Sequence, residues 1–119
     1  MHILLIEDDE LVQKALLRFI KGVHPLAVMH VVDNAPAAIE HLNTFAYDYI
    51  VSDFDLKIGT GGQVLWHIRE HFTRYLDRNR FILMSGDLRP EITNLDHPLT
   101  FEKPIQLPKL RELLTSGHV

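Results

Sequence analysis

The sequence Ile3-Leu4-Leu5-Ile6-Glu7-Asp8-Asp9 places four apolar residues directly before three acidic ones, close to the start of the chain. A short continuous apolar run is typical of a β-strand that is buried on both faces. The aspartates after it are a helix-start signal, and the apolar residues between positions 11 and 23 have helical spacing. We therefore predict a buried strand over 3–6 and an amphipathic helix over 11–23, joined by an acidic loop.

The order of apolar strand and amphipathic helix recurs along the rest of the chain. Further strands are predicted at 27–32, 49–52, 81–84 and 99–102, and further helices at 35–46, 64–75 and 107–114. For the polar segment 87–98 we predict one short helix at most, at 91–95. Strands that alternate with helices indicate parallel βαβ units. The expected fold is therefore α/β and flavodoxin-like, a three-layer sandwich with a five-stranded parallel sheet of order 2-1-3-4-5 and a shortened helix 4.

Length and composition limit the classes of protein that this chain can belong to. Its 119 residues predict one domain over residues 1–119, and the absence of cysteine excludes disulfides, thiolate nucleophiles and cysteine-based zinc sites. The formal net charge of −4 gives no footprint for nucleic-acid binding. No apolar run approaches the roughly 18 residues of a membrane span, and the N-terminus does not have the pattern of a secretory signal. We therefore expect a cytoplasmic protein that binds neither nucleic acid directly nor membranes.

Charged and hydroxyl side chains follow four of the predicted strands, at the point where each strand ends. They are Glu7 and Asp8 after the first strand, Asp53 at the end of the third, Ser85 at the end of the fourth and Lys103 after the fifth. Functional residues in an open parallel sheet gather beyond the carboxyl ends of the strands. We therefore expect these side chains to meet at one edge of the sheet.

The three carboxylates of this set predict a metal site. Clustered carboxylates repel one another unless a cation lies between them. Mg²⁺ prefers carboxylate oxygens, backbone carbonyls and water, so we predict a Mg²⁺ site, with Mn²⁺ as an alternative ion. Asp8 and Asp53 would bind the ion directly, and Glu7 directly or through water. Asp55 would contribute its backbone carbonyl.

One oxygen of Asp53 remains free as a nucleophile in this arrangement. A metal-bound carboxylate opposite a lysine is suited to accept a phosphoryl group as an acyl phosphate. Lys103 would supply positive charge, and the Ser85 hydroxyl would donate a hydrogen bond to a phosphoryl oxygen. Asp55 and Asp87 flank the site and could tune the rate at which water removes the phosphoryl group.

Four blocks of sequence resemble the signature blocks of response regulator receiver domains, and the resemblance covers nearly the whole chain. They are Ile6-Glu7-Asp8-Asp9, Ile50-Val51-Ser52-Asp53, Met84-Ser85-Gly86 and Glu102-Lys103-Pro104-Ile105, and Gly61 matches the loop glycine of the family. The resemblance implies that Asp53 is the phosphoacceptor and that Glu7 and Asp8 form the acidic pair for Mg²⁺. It also implies that Ser85 is the switch hydroxyl and that Lys103 contacts the phosphoryl group.

The resemblance further implies a role in a two-component system. The phosphoryl donor would be a phosphohistidine on a sensor histidine kinase or on a histidine phosphotransfer protein. Phosphorylation would switch the conformation that an unidentified output partner reads. The protein would not be an enzyme beyond its own phosphorylation and dephosphorylation.

Three features depart from the usual pattern of this family. Lys57 stands four residues after Asp53, where a proline is usual. Thr100 stands at the position of the usual switch aromatic, and Phe101, one residue later, is expected to point to the opposite face of its strand and into the core. The segment between Ser85 and Lys103 is also shorter than usual, which predicts a reduced or reshaped surface there.

Two other functions are compatible with parts of the sequence. A pseudo-receiver that acts only as an interaction module would normally have lost part of the acidic cluster or the lysine. An aspartate-nucleophile phosphatase would share Asp53-Phe54-Asp55, but Lys57 stands where its threonine is expected. Separately, His67 and His71 have a spacing that can bind a metal, but no third ligand is evident and we predict solvated histidines.

Overall fold

Five parallel strands form one sheet in the part of the chain that the computed structural model describes, which is residues 1–77, 80–86, 100–103 and 106–116. The strands are β1 (His2–Ile6), β2 (Val28–Val32), β3 (Tyr49–Asp53), β4 (Phe81–Ser85) and β5 (Thr100–Glu102). Their order is β2-β1-β3-β4-β5, and every pair of neighbours is parallel. The predicted fold class and strand order are therefore confirmed.

Helices connect and follow these strands. They are α1 (Glu10–Val23), α2 (Ala35–Thr44), α3 (Gly61–His71), α4 (Arg74–Asp77) and α5 (Leu107–Ser116). The short helix that we predict at 91–95 lies outside the described residues. Within those residues, none of the helices combines the length and the apolar character that a bilayer span requires.

Each face of the sheet carries its own apolar core. Side chains alternate between the two faces along a strand, so neighbouring residues enter different cores. Leu4 and Ile50 pack on the side of α2 and α3, whereas Leu5 and Val51 pack on the side of α1 and α5. Phe101 packs with the second of these cores, as its position in β5 predicts. Burial on both faces explains why the strands read as continuous apolar runs.

Hydrogen bonds from capping side chains determine where two helices begin. The Asp9 carboxylate accepts from the backbone N–H groups of Leu11 and Val12, at 3.0 and 3.1 Å. Thr60 and Gln63 form a capping box, in which each side chain accepts from the backbone N–H of the other. The prediction that the third helix begins at residue 64 is therefore wrong, because this capping box starts α3 at Gly61.

The predicted ends of three helices also differ from the structure, and for the last of them α5 continues two residues beyond the predicted end, to Ser116. The helix predicted to reach Tyr75 ends at His71, since Phe72 leaves the helical conformation with φ −139° and α4 begins at Arg74. This break is compatible with the burial of Tyr75, whose hydroxyl accepts from the backbone N–H of Tyr47 at 3.0 Å. The second helix ends at Thr44, and Phe45, predicted as part of its buried stripe, is a half-exposed C-cap.

The first residues of β1 and β2 differ by one position from the prediction. Strand β1 begins at His2, one residue earlier than predicted. Strand β2 begins at Val28, because the backbone N–H of Ala27 donates to the carbonyl of His24 in a turn, at 3.0 Å. The predicted first residue of the fifth strand, Leu99, lies outside the described residues.

His30 on β2 is half-buried among other rings at the outer edge of the sheet. Its ring centroid lies 4.7 Å from that of Phe45 and 5.7 Å from that of His41. Its Nδ1 atom lies 2.6 Å from the Tyr47 hydroxyl oxygen. Burial lowers the pKa of His30 below its usual value of 6.5, and the neighbouring His41 and His2 lower it further. The folded protein therefore takes up a proton at His30 less readily than the unfolded chain does.

We predict that His30 makes the folded protein less stable as the pH falls below about 6.5, because the unfolded chain then binds the proton first. A His30→Gln variant should be less stable than the parent at pH 7.5, by about 1 kcal/mol for the lost hydrogen bond. This difference should shrink between pH 7 and pH 5 in urea unfolding. Tyr47→Phe removes the hydroxyl but keeps the ring, so it should retain the pH dependence. A difference that stays constant with pH would contradict the prediction.

Candidate functional site

The carboxyl ends of the strands bring the predicted site residues to one edge of the sheet. Glu7 follows β1, Asp53 ends β3, Ser85 ends β4 and Lys103 follows β5. The side chains of Glu7 and Ser85 are fully buried, and Asp53 is 3% exposed. Burial of two carboxylates is rare unless a cation compensates their charge, so the geometry around them identifies the candidate site.

Lys103 makes the central contacts of this site. Its Nζ atom lies 2.9 Å from Oδ2 of Asp53 and 3.5 Å from Oε2 of Glu7. The backbone N–H of Lys103 donates to the carbonyl of Ser85 at 2.5 Å, which joins the end of β5 to the end of β4. The lysine is therefore held at its backbone and at its ammonium. It links the end of β5 to the ends of β1, β3 and β4.

Glu7, Asp8 and Asp53 form a cluster of oxygen ligands. One carboxylate oxygen from each of the three residues can be chosen so that all lie within 4.8 Å of one another. Oε1 of Glu7 accepts from the backbone N–H of Asp9 at 3.2 Å, but the buried Oε2 accepts no hydrogen bond. Three hard anionic ligands, one of which has a buried oxygen that accepts no hydrogen bond, fit a divalent ion such as Mg²⁺.

The charges of the site favour an additional cation. Burial raises the pKa of Asp53, and the contact with Lys103 only partly offsets that rise. Burial also raises the pKa of Glu7, and the neighbouring charge of Asp53 raises it further. Partial burial lowers the pKa of Lys103, but its contacts with Asp53 and Glu7 outweigh that effect and raise it. One ammonium therefore leaves the carboxylates incompletely compensated.

Backbone contacts orient the Asp53 carboxylate. Its Oδ1 atom accepts from the backbone N–H of Asp55 at 3.2 Å, while Oδ2 faces Lys103. Asp55 is itself exposed and close enough in sequence for its side chain to flank the site. Asp87, the other predicted flanking residue, lies outside the described residues. The Asp53 carboxylate is therefore held in a defined orientation, and the exposed Asp55 follows it two residues later in the sequence.

Two residues support the site in roles that the sequence does not predict. The side chain of Gln13 on α1 donates from Nε2 to the backbone carbonyl of Glu7 at 2.9 Å and so fixes the acidic loop. Gly61 starts α3 directly against the site, because a Cβ there would lie 2.6 Å from the carbonyl oxygen of Asp53. The glycine was visible in the sequence as a match to a family pattern, whereas nothing in the sequence marks Gln13.

His67 and His71 lie on α3 and contact each other, with ring centroids 4.6 Å apart. His71 is exposed, as predicted. His67 is half-buried, so it is partly open to solvent, and its Nε2 lies 2.8 Å from Oδ1 of Asn43. Among the residues whose structure is described, the pair does not form part of a three-ligand group.

One comparison with known proteins identifies a family, and another identifies solved structures with the same fold. A family model described as the response regulator receiver domain matches residues 3–115. No curated protein matches the sequence. The structure is similar to that of the receiver domain of the sensor histidine kinase PA1611 from Pseudomonas aeruginosa PAO1, which has a magnesium ion coordinated in its active site cleft. That similarity has a TM-score of 0.80 and 18% identity, and it covers 98% of this chain and 95% of that chain.

A second solved structure shows the same similarity. It is the signal receiver domain of the DNA-binding response regulator protein (merR) from Colwellia psychrerythraea 34H. The TM-score is 0.81 at 24% identity, with coverage of 98% of this chain and 96% of that chain. At such identities the solved structures establish the fold, and the match of the family model over nearly the whole sequence carries the assignment to a family.

We predict that Lys103→Met lowers the free energy of unfolding by about 3 kcal/mol at neutral pH, because it leaves buried carboxylates without their cation. Mg²⁺ should then stabilise the variant more than the parent, since the ion takes over the compensating charge. Urea unfolding with and without Mg²⁺ measures both effects. Lys109→Met, which removes an exposed ion pair with Glu112, should change stability by less than about 0.5 kcal/mol. Equal effects of the two substitutions would contradict the prediction.

Proposed function

The chain belongs to the response regulator receiver domain family, and on that premise we propose that it is a phosphorylation-controlled switch whose phosphoacceptor is Asp53. The observation that carries the proposal is the contact of Lys103 Nζ with Asp53 Oδ2, at 2.9 Å, beside the carboxylates of Glu7 and Asp8. This arrangement has the two requirements of phosphoryl transfer to a carboxylate, an oriented oxygen nucleophile and nearby positive charge.

The transfer uses Asp53 as a nucleophile in an in-line displacement. A carboxylate oxygen forms a bond to phosphorus while the phosphorus–nitrogen bond of a phosphohistidine breaks. The donor ring, protonated at its other nitrogen, leaves with the electron pair of that bond as neutral imidazole. Lys103 offsets the charge on the phosphoryl oxygens, and the backbone N–H of Asp55 keeps the carboxylate oriented.

Glu7, Asp8, Asp53 and the backbone carbonyl of Asp55 would hold Mg²⁺, or Mn²⁺ as an alternative. Support comes from the buried oxygen of Glu7 that accepts no hydrogen bond and from the close approach of the three carboxylates. When bound, the ion supplies positive charge that neutralises the phosphoryl group in the transition state. A magnesium ion in the receiver domain of PA1611 supports the same choice of ion.

Ser85 is proposed as the switch hydroxyl. Its side chain is buried at the end of β4, and its backbone carbonyl accepts a hydrogen bond from the backbone N–H of Lys103. Donation from the Ser85 hydroxyl to a phosphoryl oxygen on Asp53 would therefore move a residue that is linked to the end of β5. The result is a shift in the populations of two arrangements of the neighbouring loops. Phe101 packs in the core and is not placed to act as the switch aromatic.

Receiver domains of response regulators interact with histidine kinases and output domains, and we assign this chain the same kinds of partner. The donor is a sensor histidine kinase or a histidine phosphotransfer protein, and an output partner reads the switched surface. Residues 1–119 act as one receiver domain in the cytoplasm, without direct binding to nucleic acid. The chain turns over no separate substrate, in contrast to an aspartate-nucleophile phosphatase.

We predict that Asp53→Asn abolishes phosphorylation, because an amide is not a nucleophile for phosphorus. The parent protein, incubated with Mg²⁺ and acetyl phosphate, should gain the mass of one phosphoryl group, and the variant should gain none. Glu40→Gln, which alters an exposed carboxylate on α2 outside the proposed set, should be labelled as the parent is. Labelling of Asp53→Asn at the level of the parent would place the acceptor elsewhere.

The same incubation discriminates between the proposed function and its alternatives. A parent protein that is neither labelled by acetyl phosphate nor changed by beryllofluoride would be a pseudo-receiver. Continuous hydrolysis of a generic phosphomonoester, absent from Asp53→Asn, would indicate a phosphatase. Stoichiometric labelling without such turnover is the outcome that we expect.

The sequence predicts that Asp55 and Asp87 flank the site, and a carboxylate in that position can orient and activate the attacking water. We therefore predict that Asp55→Asn and Asp87→Asn slow the loss of the phosphoryl group by roughly threefold or more. The decay of the labelled protein, followed by mass, measures the rate. Glu40→Gln serves again as the variant with the same change of charge. Decay rates equal to that of the parent in both flanking variants would exclude a tuning role for these residues.

A further inference from the structure

A polar cavity of about 620 Å³ adjoins the candidate site. Its lining includes Asp8, Asp9, Glu10, Gln13, Asp33 and Lys57. These residues come from the segments after β1, β2 and β3, so the cavity lies at the same edge of the sheet as the phosphoacceptor. Asp8 belongs both to this lining and to the carboxylate cluster, so the cavity borders the proposed metal site.

The cavity is acidic, and most of its carboxylates already have partners. Asp9 caps α1, and Glu10 forms an ion pair with Lys14 at 3.1 Å. Asp33 accepts from the side chain of Asn34 at 2.7 Å. Asp9 and Asp33 accept from uncharged groups, so these contacts leave their negative charges uncompensated. These charges repel an anionic phosphoryl donor and slow its approach to this edge.

Lys57 contributes the cation of the cavity lining. It is exposed, and within the described ranges no carboxylate lies within 4.0 Å of its ammonium. Lys103 differs in this respect, since its ammonium is already engaged with Asp53 and Glu7. The charge of Lys57 remains available to a group that arrives from solvent, and the flexible stem of a lysine lets the ammonium follow that group.

We infer that Lys57 is a positioning residue for the phosphoryl donor. Its ammonium attracts the anionic oxygens of the phosphoryl group and holds them beside the acidic cluster while Asp53 attacks. The same charge repels a divalent ion bound near Asp8 and so lowers the affinity of the site for Mg²⁺. This inference rests on the proposed function, and it extends that function by assigning the recognition of the donor to a residue outside the buried site.

The test compares Lys57→Gln and Lys57→Arg with the parent protein. Arg18→Gln is the matched control, because it removes one positive charge from an exposed residue of α1 that lines a different groove. Phosphorylation rates are measured at saturating Mg²⁺ with acetyl phosphate and with phosphoramidate. The first probe represents free acyl phosphates, and the second represents the phosphorus–nitrogen bond of a phosphohistidine. Mg²⁺ affinity is measured separately by calorimetry, without any donor.

We expect Lys57→Gln to be phosphorylated about three- to tenfold more slowly by acetyl phosphate and to bind Mg²⁺ about two- to fivefold more tightly. The opposite signs of the two effects distinguish lost donor recognition from damage to the site. Lys57→Arg should match the parent in both measurements, and so should Arg18→Gln. A loss of rate with both donors assigns recognition to the phosphoryl group that they share, whereas a loss with acetyl phosphate alone assigns it to acyl phosphates.

Three results would overturn the inference. They are an unchanged rate in Lys57→Gln, an equal loss of rate in Arg18→Gln, and a lower rate accompanied by weaker Mg²⁺ binding. Failure of the proposed function has a different signature. In that case the parent protein itself accepts no phosphoryl group from either donor, while a labelled parent with an unaffected Lys57→Gln contradicts only the role of Lys57.

Discussion

The ion pair between Lys103 and Asp53 is the interaction on which the rest of the site depends. Two carboxylates, those of Glu7 and Asp53, are buried side by side, and neither could remain charged there without a nearby cation. Lys103 supplies that cation from β5, two strands away from β3 in the sheet order. The site therefore exists only when the sheet is assembled, which couples the arrangement of its charges to the fold.

A set of short contacts holds the loops that surround this ion pair. Gln13 fixes the carbonyl of Glu7, the backbone of Asp55 orients Asp53, and Gly61 lets α3 begin in contact with the end of β3. In these three contacts Gln13, Gly61 and the backbone N–H of Asp55 support the site without reacting themselves. They determine where the carboxylates point, and a phosphoryl transfer that consists mainly of positioning and charge neutralisation is sensitive to that direction.

The two lysines at this edge have different surroundings. Lys103 is partly buried and committed to the carboxylates, whereas Lys57 is exposed at an acidic cavity. An inner cation stabilises charge that the fold has buried, and an outer cation acts on charge that comes from solvent. Under the proposed function, this division lets an acidic site that holds a metal ion also receive an anionic donor.

The sequence by itself determined the class of fold and predicted which side chains meet at one edge of the sheet, because buried parallel strands appear as apolar runs and their ends carry the charged groups. It did not determine the start of α3 at Gly61 or its end before Phe72, since a capping box and the burial of Tyr75 act through contacts that local apolar spacing does not record. The half-burial of His67, the hydrogen bond of Gln13 and the cavity around Lys57 were decided only by tertiary structure. The half-burial of His67 and the cavity around Lys57 depend on distances between segments that are far apart in the chain, and such distances are set by the packing of helices on the sheet. The Gln13 contact depends on the direction in which α1 leaves the loop after β1.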